Sequence, residues 1–268
     1  MVTSRISTFV KSSLLTILST LTFSAQAQIT QIRFAVDPTY PPFESKQPDG
    51  KIIGFDIDLG NAICRQVGAQ CHWVESSFDT MIPALKAHKF DAILSDMGIT
   101  EARLKQINFS IPIYNTPIRL VTHKGKHLEP NAKSLLGMRI GVEQGTVQET
   151  YAKAKWQPHG VDVVIYADQS QVESDLLSGQ IDALLTDAVQ AKIGFLSQPR
   201  AKGFALTGQP IPSKGLVGPT AIGLRKNDTQ LKAAIDNALI TLAQNGTLQK
   251  IQKKYFETDI IVIPQQHR

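Results

Sequence analysis

The chain has little of what usually announces chemistry. Its 268 residues include two cysteines, too few for a structural zinc centre built on thiolates alone. The six histidines, His72, His88, His123, His127, His159 and His267, are scattered and show no metal-ligand spacing. They read as solvated surface residues. No phosphate-binding G-x-x-x-x-G-K motif occurs, and no Ser, His and Asp arrangement stands out as a catalytic triad. Charge of one sign is also lacking. The formal balance is +5 and dispersed, which excludes a nucleic-acid surface. After the first segment no apolar run is long enough to span a membrane.

That first segment has the layout of an export signal. Arg5 and Lys11 precede or enter a short apolar stretch, Ser12 to Phe23, and Ala25-Gln26-Ala27 supplies small residues at a cleavage site. Cleavage is expected after Ala27, so residues 1–27 form a signal peptide and the mature chain begins at Gln28. Its balance is then 26 basic against 23 acidic residues, or +3. No cysteine follows the apolar stretch, so no lipid anchor is expected, and the product should be soluble and exported. Both Cys64 and Cys71 fall in the exported part. An oxidising compartment permits a disulfide between them, although two separate buried thiols would also fit. The disulfide is favoured, because exported free thiols are uncommon. The loop it closes is short, which limits its stabilisation to about 2–3 kcal/mol.

Elements alternate along the mature chain. Gln31 to Val36 has strand periodicity, with Ile32, Phe34 and Val36 on one face. Asp37 to Glu44 holds three prolines and reads as a stiff loop that keeps Asp37 and Tyr40 still. Asp56 to Val67 has helical spacing, with an aspartate placed to suit the helix dipole. Cys71–Val74 and Ala92–Ser95 read as strands around a helix opened by Phe78, making a β-α-β-α-β unit whose strand ends should line a crevice. Ile118 to Thr122 reads as a strand leaving this unit. A second unit begins near Leu135 and includes strands at Val163–Ile165 and Ala183–Thr186. The chain returns near Ala221 to Lys226, and helices follow up to Leu242 and from Leu248 to Tyr255. The tail from Thr258 gives no clear signal.

The most informative stretch is Ser95 to Ser110, SDMGITEARLKQINFS. A strand ends, Gly98 allows a tight turn, and Thr100 stands at a helix N-cap position. Such a turn aims free N–H groups at one point, which suits an anion, and Arg103 adds a planar fork of donors for a carboxylate. A solvated arginine on an ordinary strand–turn–helix is the plainer alternative. Gly145-Thr146-Val147-Gln148-Glu149 repeats the arrangement in the second unit.

Ser95-Asp96-Met97-Gly98-Ile99-Thr100-Glu101-Ala102-Arg103 resembles the S-x-M-x-I-T-x-x-R motif of polar amino-acid binding proteins of ABC importers. Asp37 to Glu44, Gly54 to Leu59, Asn108 to Tyr114, Gly141 to Thr146 and Ser174 to Ala183 resemble that family as well. The resemblance runs over nearly all of Ile32 to Phe256. It is nearest to the lysine/arginine/ornithine- and histidine-binding branch, which carries the same cysteine pair.

The resemblance implies a type II periplasmic binding protein, with two α/β lobes joined by two hinge strands. Lobe one would comprise residues 28–117 and 217–268, and lobe two residues 118–216. The implied function is capture of a basic L-amino acid (arginine, lysine, ornithine or histidine) by a monomer that serves an inner-membrane permease and needs no cofactor or metal. Arg103, with N–H groups near Gly98 and Thr146, would take the α-carboxylate, and Asp187 the α-ammonium. Tyr40 and Phe78 would sandwich the side chain, with Asp37 facing its positive end. Ser95 and Val147 belong to the same two turns.

Three positions depart from the branch. Asp96 replaces serine or glycine, Gly98 replaces a serine whose hydroxyl would assist the ammonium, and Glu143 replaces an apolar or amide residue. Gly98 and Val147 keep the backbone N–H groups that a carboxylate needs. Asp96 and Glu143 imply either a strongly cationic ligand or side chains turned to water. The rival reading from another class is a periplasmic cyclohexadienyl dehydratase of the same fold, acting on prephenate or arogenate. The acidic residues argue against its dianionic substrate. A receptor's sensor domain is a third reading, disfavoured because no membrane span or signalling domain follows before Arg268.

Overall fold

The computed structural model describes residues 28–211 and 218–263. The expected leader, its cleavage point, Val217, His267 and the end of the tail lie outside these residues. Strand β1 (Gln31–Val36) is an inner strand of a first sheet and buries both faces towards its end, because helices cover a parallel sheet on both sides. A small antiparallel sheet (Thr39–Tyr40, Glu44–Lys46, Ile52–Ile53) leads into helix α1 (Phe55–Val67). Ile57, Leu59, Ile63 and Cys64 on α1 are buried at the expected helical spacing. Gly68, left-handed at φ 80°, ends the helix. Strand β2 (Gln70–Glu75) and, after α2 (Met81–Lys86), strand β3 (Ala92–Ile93) flank β1 in parallel. Helix α3 (Glu101–Gln106) and strand β4 (Asn108–Phe109) complete this part.

The chain then builds a second sheet. Strand β5 (Ile118–His123), strand β6 (Arg139–Glu143), helix α4 (Val147–Lys155), strand β7 (Asp162–Tyr166), helix α5 (Gln169–Ser178) and strand β8 (Ala183–Asp187) follow in turn. A π-helical turn (Gln190–Phe195) and strand β9 (Phe204–Ile211) end the unit. Strand β10 (Gly223–Leu224) rejoins the first sheet, and helices α6 (Thr229–Gln244) and α7 (Thr247–Tyr255) pack on it. The strand orders are β2-β1-β3-β10-β4 and β7-β6-β8-β5-β9. In each, parallel central strands send their carboxyl ends towards the space between the sheets.

The sheets have separate cores. Phe34, Leu59, Ile63 and Leu239 pack together in the first lobe, and Leu120, Ile140, Val142 and Trp156 in the second. Two lobes with separate cores are free to move as bodies about the crossing segments. The Cys64–Cys71 disulfide is present and ties the end of α1 to the start of β2. Part of the uncertain tail is ordered by pairing: Ile261 bridges to Tyr114, and Ile260 and Ile263 are buried. His72, His88, His123, His127 and His159 are all exposed.

Candidate functional site

A cavity lies between the lobes, about 590 Å³ including its open mouth. Asp37, Tyr40, Phe78, Ser95, Asp96, Gly98, Arg103, Glu143, Thr146, Val147 and Asp187 all line it.

The first-lobe side starts where β3 ends. Asp96 has φ 42°, in the left-handed region that favours glycine. Its N–H donates to Asp56 Oδ2 at 3.0 Å, and its Oδ1 accepts from Thr220 Oγ1 at 2.7 Å. Asp56 therefore does more than suit a helix dipole. It is wholly buried, anchors this turn, and accepts the Tyr114 O–H on both oxygens at 3.1 Å.

Arg103 follows in the first turn of α3, where Thr100 caps the helix by accepting its N–H at 3.1 Å. The guanidinium lies 5.2 Å over the Phe78 ring. Nη1 donates to the Gly98 carbonyl at 2.7 Å, and Nη2 reaches across the cleft to the Gly145 carbonyl at 3.1 Å. Burial draws its pKa down to about 10, so it stays a cation near neutrality.

Asp37 closes the end of β1. Its Oδ1 accepts from Thr39 Oγ1 at 2.8 Å and its Oδ2 from the Phe78 N–H at 3.1 Å. Its own N–H donates to Ser95 Oγ at 3.0 Å, and Ser95 donates in turn to Glu44 Oε1 at 2.9 Å. Burial and the neighbouring acids Asp56, Asp96 and Asp37 push Glu44 well above the usual carboxylate range. Tyr40 reaches into the second lobe. Its hydroxyl lies 2.8 Å from Thr186 Oγ1 and accepts the Asp187 N–H at 3.1 Å.

The second-lobe side is built from the ends of β6 and β8. Gly145 turns at φ 78°, and Thr146 caps α4 by accepting the Glu149 N–H at 3.1 Å. Glu149 reaches back to accept the N–H of Gly145, the residue before the cap, at 2.6 Å. Asp187 Oδ1 accepts the N–H groups of Val189 at 2.7 Å and Gln190 at 3.3 Å, so it caps the next turn while lining the cavity. Burial raises its pKa to about 6. Glu143 is 5 % exposed and faces the cavity rather than bulk water. Asp96 is half-buried and also lines the cavity, its carboxylate held by Thr220.

The sequence reading missed Glu44, Asn115, Thr116, Gln148 and Thr220, which also line the cavity. Asn115 and Thr116 sit in the segment crossing between lobes, where no periodicity marks them. Glu44 stood in a quoted run, but its burial comes from the packing of the small sheet.

Two α/β lobes with a polar cavity at their facing strand ends define a two-lobed periplasmic binding protein of type II. The chain belongs to the bacterial extracellular solute-binding proteins, family 3, whose family model matches residues 32–258. It is 47 % identical over 249 residues to the lysine/arginine/ornithine-binding periplasmic protein of Escherichia coli K12, covering 92 % of this chain and 96 % of that one. It is 43 % identical over 243 residues to the histidine-binding periplasmic protein of the same strain, covering 90 % and 93 %. Among solved structures, an ancestral arginine-binding protein bound to arginine superposes with a TM-score of 0.79 at 33 % identity, covering 85 % of this chain and 99 % of that one. A Salmonella typhimurium periplasmic binding protein with high arginine specificity gives 0.79 at 29 %, with the same coverage. These relatives are solute-binding transport proteins, not enzymes, so the dehydratase reading gives way.

Proposed function

We propose that this chain captures one basic L-amino acid in the periplasm and delivers it, as a closed monomer, to the inner-membrane permease of an ABC importer. Export by the signal peptide of residues 1–27 belongs to the same proposal. So does the division into lobe one (residues 28–117 and 217–268) and lobe two (118–216).

The observation that carries the reading is the charge of the cavity. One cation, Arg103, shares the lining with five carboxylates: Asp37, Glu44, Asp96, Glu143 and Asp187. A ligand with one carboxylate and two cationic groups fits that imbalance. A dicarboxylate worsens it. Arg103 has N–H donors beyond those used on Gly98 and Gly145, and these would meet the α-carboxylate together with the backbone at Thr146 and Val147. Asp187 would hold the α-ammonium, with Tyr40 and Phe78 flanking the side chain. Binding would join the lobes, because the groups that meet the ligand come from both.

A thermal-shift screen over a panel of amino acids tests this. Arginine, lysine, ornithine or histidine at about a hundred times its dissociation constant should stabilise the protein by about 2.7 kcal/mol. If glutamate or prephenate raised the melting temperature and no basic amino acid did, the assignment would be wrong.

A further inference from the structure

Glu143 differs from every other carboxylate in the cavity. Asp37, Asp96 and Asp187 each accept hydrogen bonds from side chains or backbone at 2.7–3.3 Å. Glu44 accepts from Ser95. No donor among the described residues reaches the Glu143 carboxylate, although the residue is 5 % exposed. Its backbone is fixed on both sides. Its carbonyl accepts from Thr146 Oγ1 at 2.6 Å, and the next N–H, of Gln144, donates to the Tyr166 carbonyl at 2.9 Å. The side chain therefore cannot leave the cavity by a small loop shift.

The charges that act on it most strongly are negative: Asp37, Asp79 and Asp96 from the first lobe and Asp168 from its own. Arg103, the cation of the cavity, is committed to Gly98 and Gly145. A buried carboxylate with neither a donor nor a counter-ion is costly. The missing partner is a cation.

We infer that Glu143 is a specificity-determining residue that acts with Asp37, from the opposite lobe, as a two-sided clamp on the positive end of the ligand side chain. This rests on the reading above that a basic amino acid is the ligand. In the empty cleft, burial and the facing Asp37 push Glu143 well above the usual carboxylate range, which favours its protonated form. A cation between the two side chains lets both ionise and favours closure. A neutral isostere leaves Glu143 without that partner. The arriving cation also lowers the proton affinity of Glu143, so arginine binding releases protons to the buffer.

The test compares L-arginine with L-citrulline, which has nearly the same shape without the charge, by displacement calorimetry on wild type, Glu143→Gln and Asp37→Asn. The arginine-to-citrulline affinity ratio should fall about tenfold or more in Glu143→Gln, the size expected for losing a charge-assisted hydrogen bond. Proton release on arginine binding, read from heats in two buffers of different ionisation enthalpy, should drop in the same variant. Glu143→Asp, which keeps the charge, should retain more of the ratio than Glu143→Gln. A fall in the ratio of less than about fivefold, roughly 1 kcal/mol by the same conversion, overturns the inference. If wild type prefers arginine and only Asp37→Asn removes the preference, the function stands and the role of Glu143 falls. If wild type shows no preference for arginine, the proposed function fails and takes the inference with it.

Discussion

Arg103 has two duties, and both depend on the shape of its side chain. It sits over Phe78 and bridges the Gly98 and Gly145 carbonyls across the cleft. In the proposed complex it also meets the α-carboxylate that every amino acid carries. Arg103→Ala should therefore weaken arginine and citrulline together, by about 2–5 kcal/mol each, and leave their ratio nearly constant. Calorimetric titration of both ligands checks this, and a loss confined to arginine would refute it. Arg103→Lys should recover little, since a lysine has no planar fork to span two carbonyls. The disulfide belongs to a separate ledger. Cys64 and Cys71 do not line the cavity. Replacing both by serine should lower the unfolding free energy by about 2–3 kcal/mol, measured by denaturant titration, with ligand affinity unchanged.

Closure depends on small residues in the turns that meet across the cleft. A Cβ on Gly194, in the π-helical turn after β8, would collide with the Pro41 carbonyl of the first lobe. A Cβ on Gly145 would lie 2.7 Å from Asp79 Cα, also across the cleft. Gly145 needs its positive φ in any state, so its substitution confuses strain with closure. Gly194 has no such need. Gly194→Ala should hold the lobes apart and weaken every ligand about tenfold or more, as expected when the binding-competent closed state becomes the minor one. The ligand-free melting temperature should change little. Solution scattering should show a larger radius of gyration with ligand than wild type shows, and equal compaction in both would contradict the account.

The elements that announced themselves in the sequence were those with period or punctuation. β1 showed alternation, α1 its helical stripe, and the turns at Gly98–Thr100 and Gly145–Thr146 their glycine and cap. β9 was missed, because among the described residues it pairs with β5 alone and its exposed positions blur the alternation. The small sheet before α1 was read as loop, since prolines and two- or three-residue strands carry no period. The cavity residues on the crossing segment were invisible for the same reason, because only the packing of two lobes puts them beside Arg103. Asp56 was legible as an acid at a helix start. Its burial under Asp96 and Tyr114 required the tertiary fold.

The whole molecule carries an unusual load of buried acid. Burial raises the pKa of Asp56 and Asp187 to about 6 and that of Glu173 to about 7. Glu44, Asp96 and Glu143 are pushed upward too. In the unfolded chain such groups titrate near about 4. Between these values the folded state holds more protons than the unfolded one, so stability falls as pH rises from about 4 to about 7. The ligand-free protein should melt at a higher temperature near pH 5.5 than near pH 7.5, to roughly the extent that linkage allows. A cationic ligand reverses the preference by favouring ionised carboxylates, so the shift it causes should be larger near pH 7.5. Thermal melts with and without arginine at both pH values read both signs, and a ligand-free melting temperature that rose with pH would contradict the buried-acid account. The central claim is that the cleft is built for one α-amino acid with a positive side chain. Its most direct measurement is a calorimetric titration of the ligand-stripped protein with L-arginine and, separately, L-glutamate. The account predicts one arginine bound per chain at micromolar affinity or tighter, with no binding heat from glutamate; glutamate binding in place of arginine would contradict it.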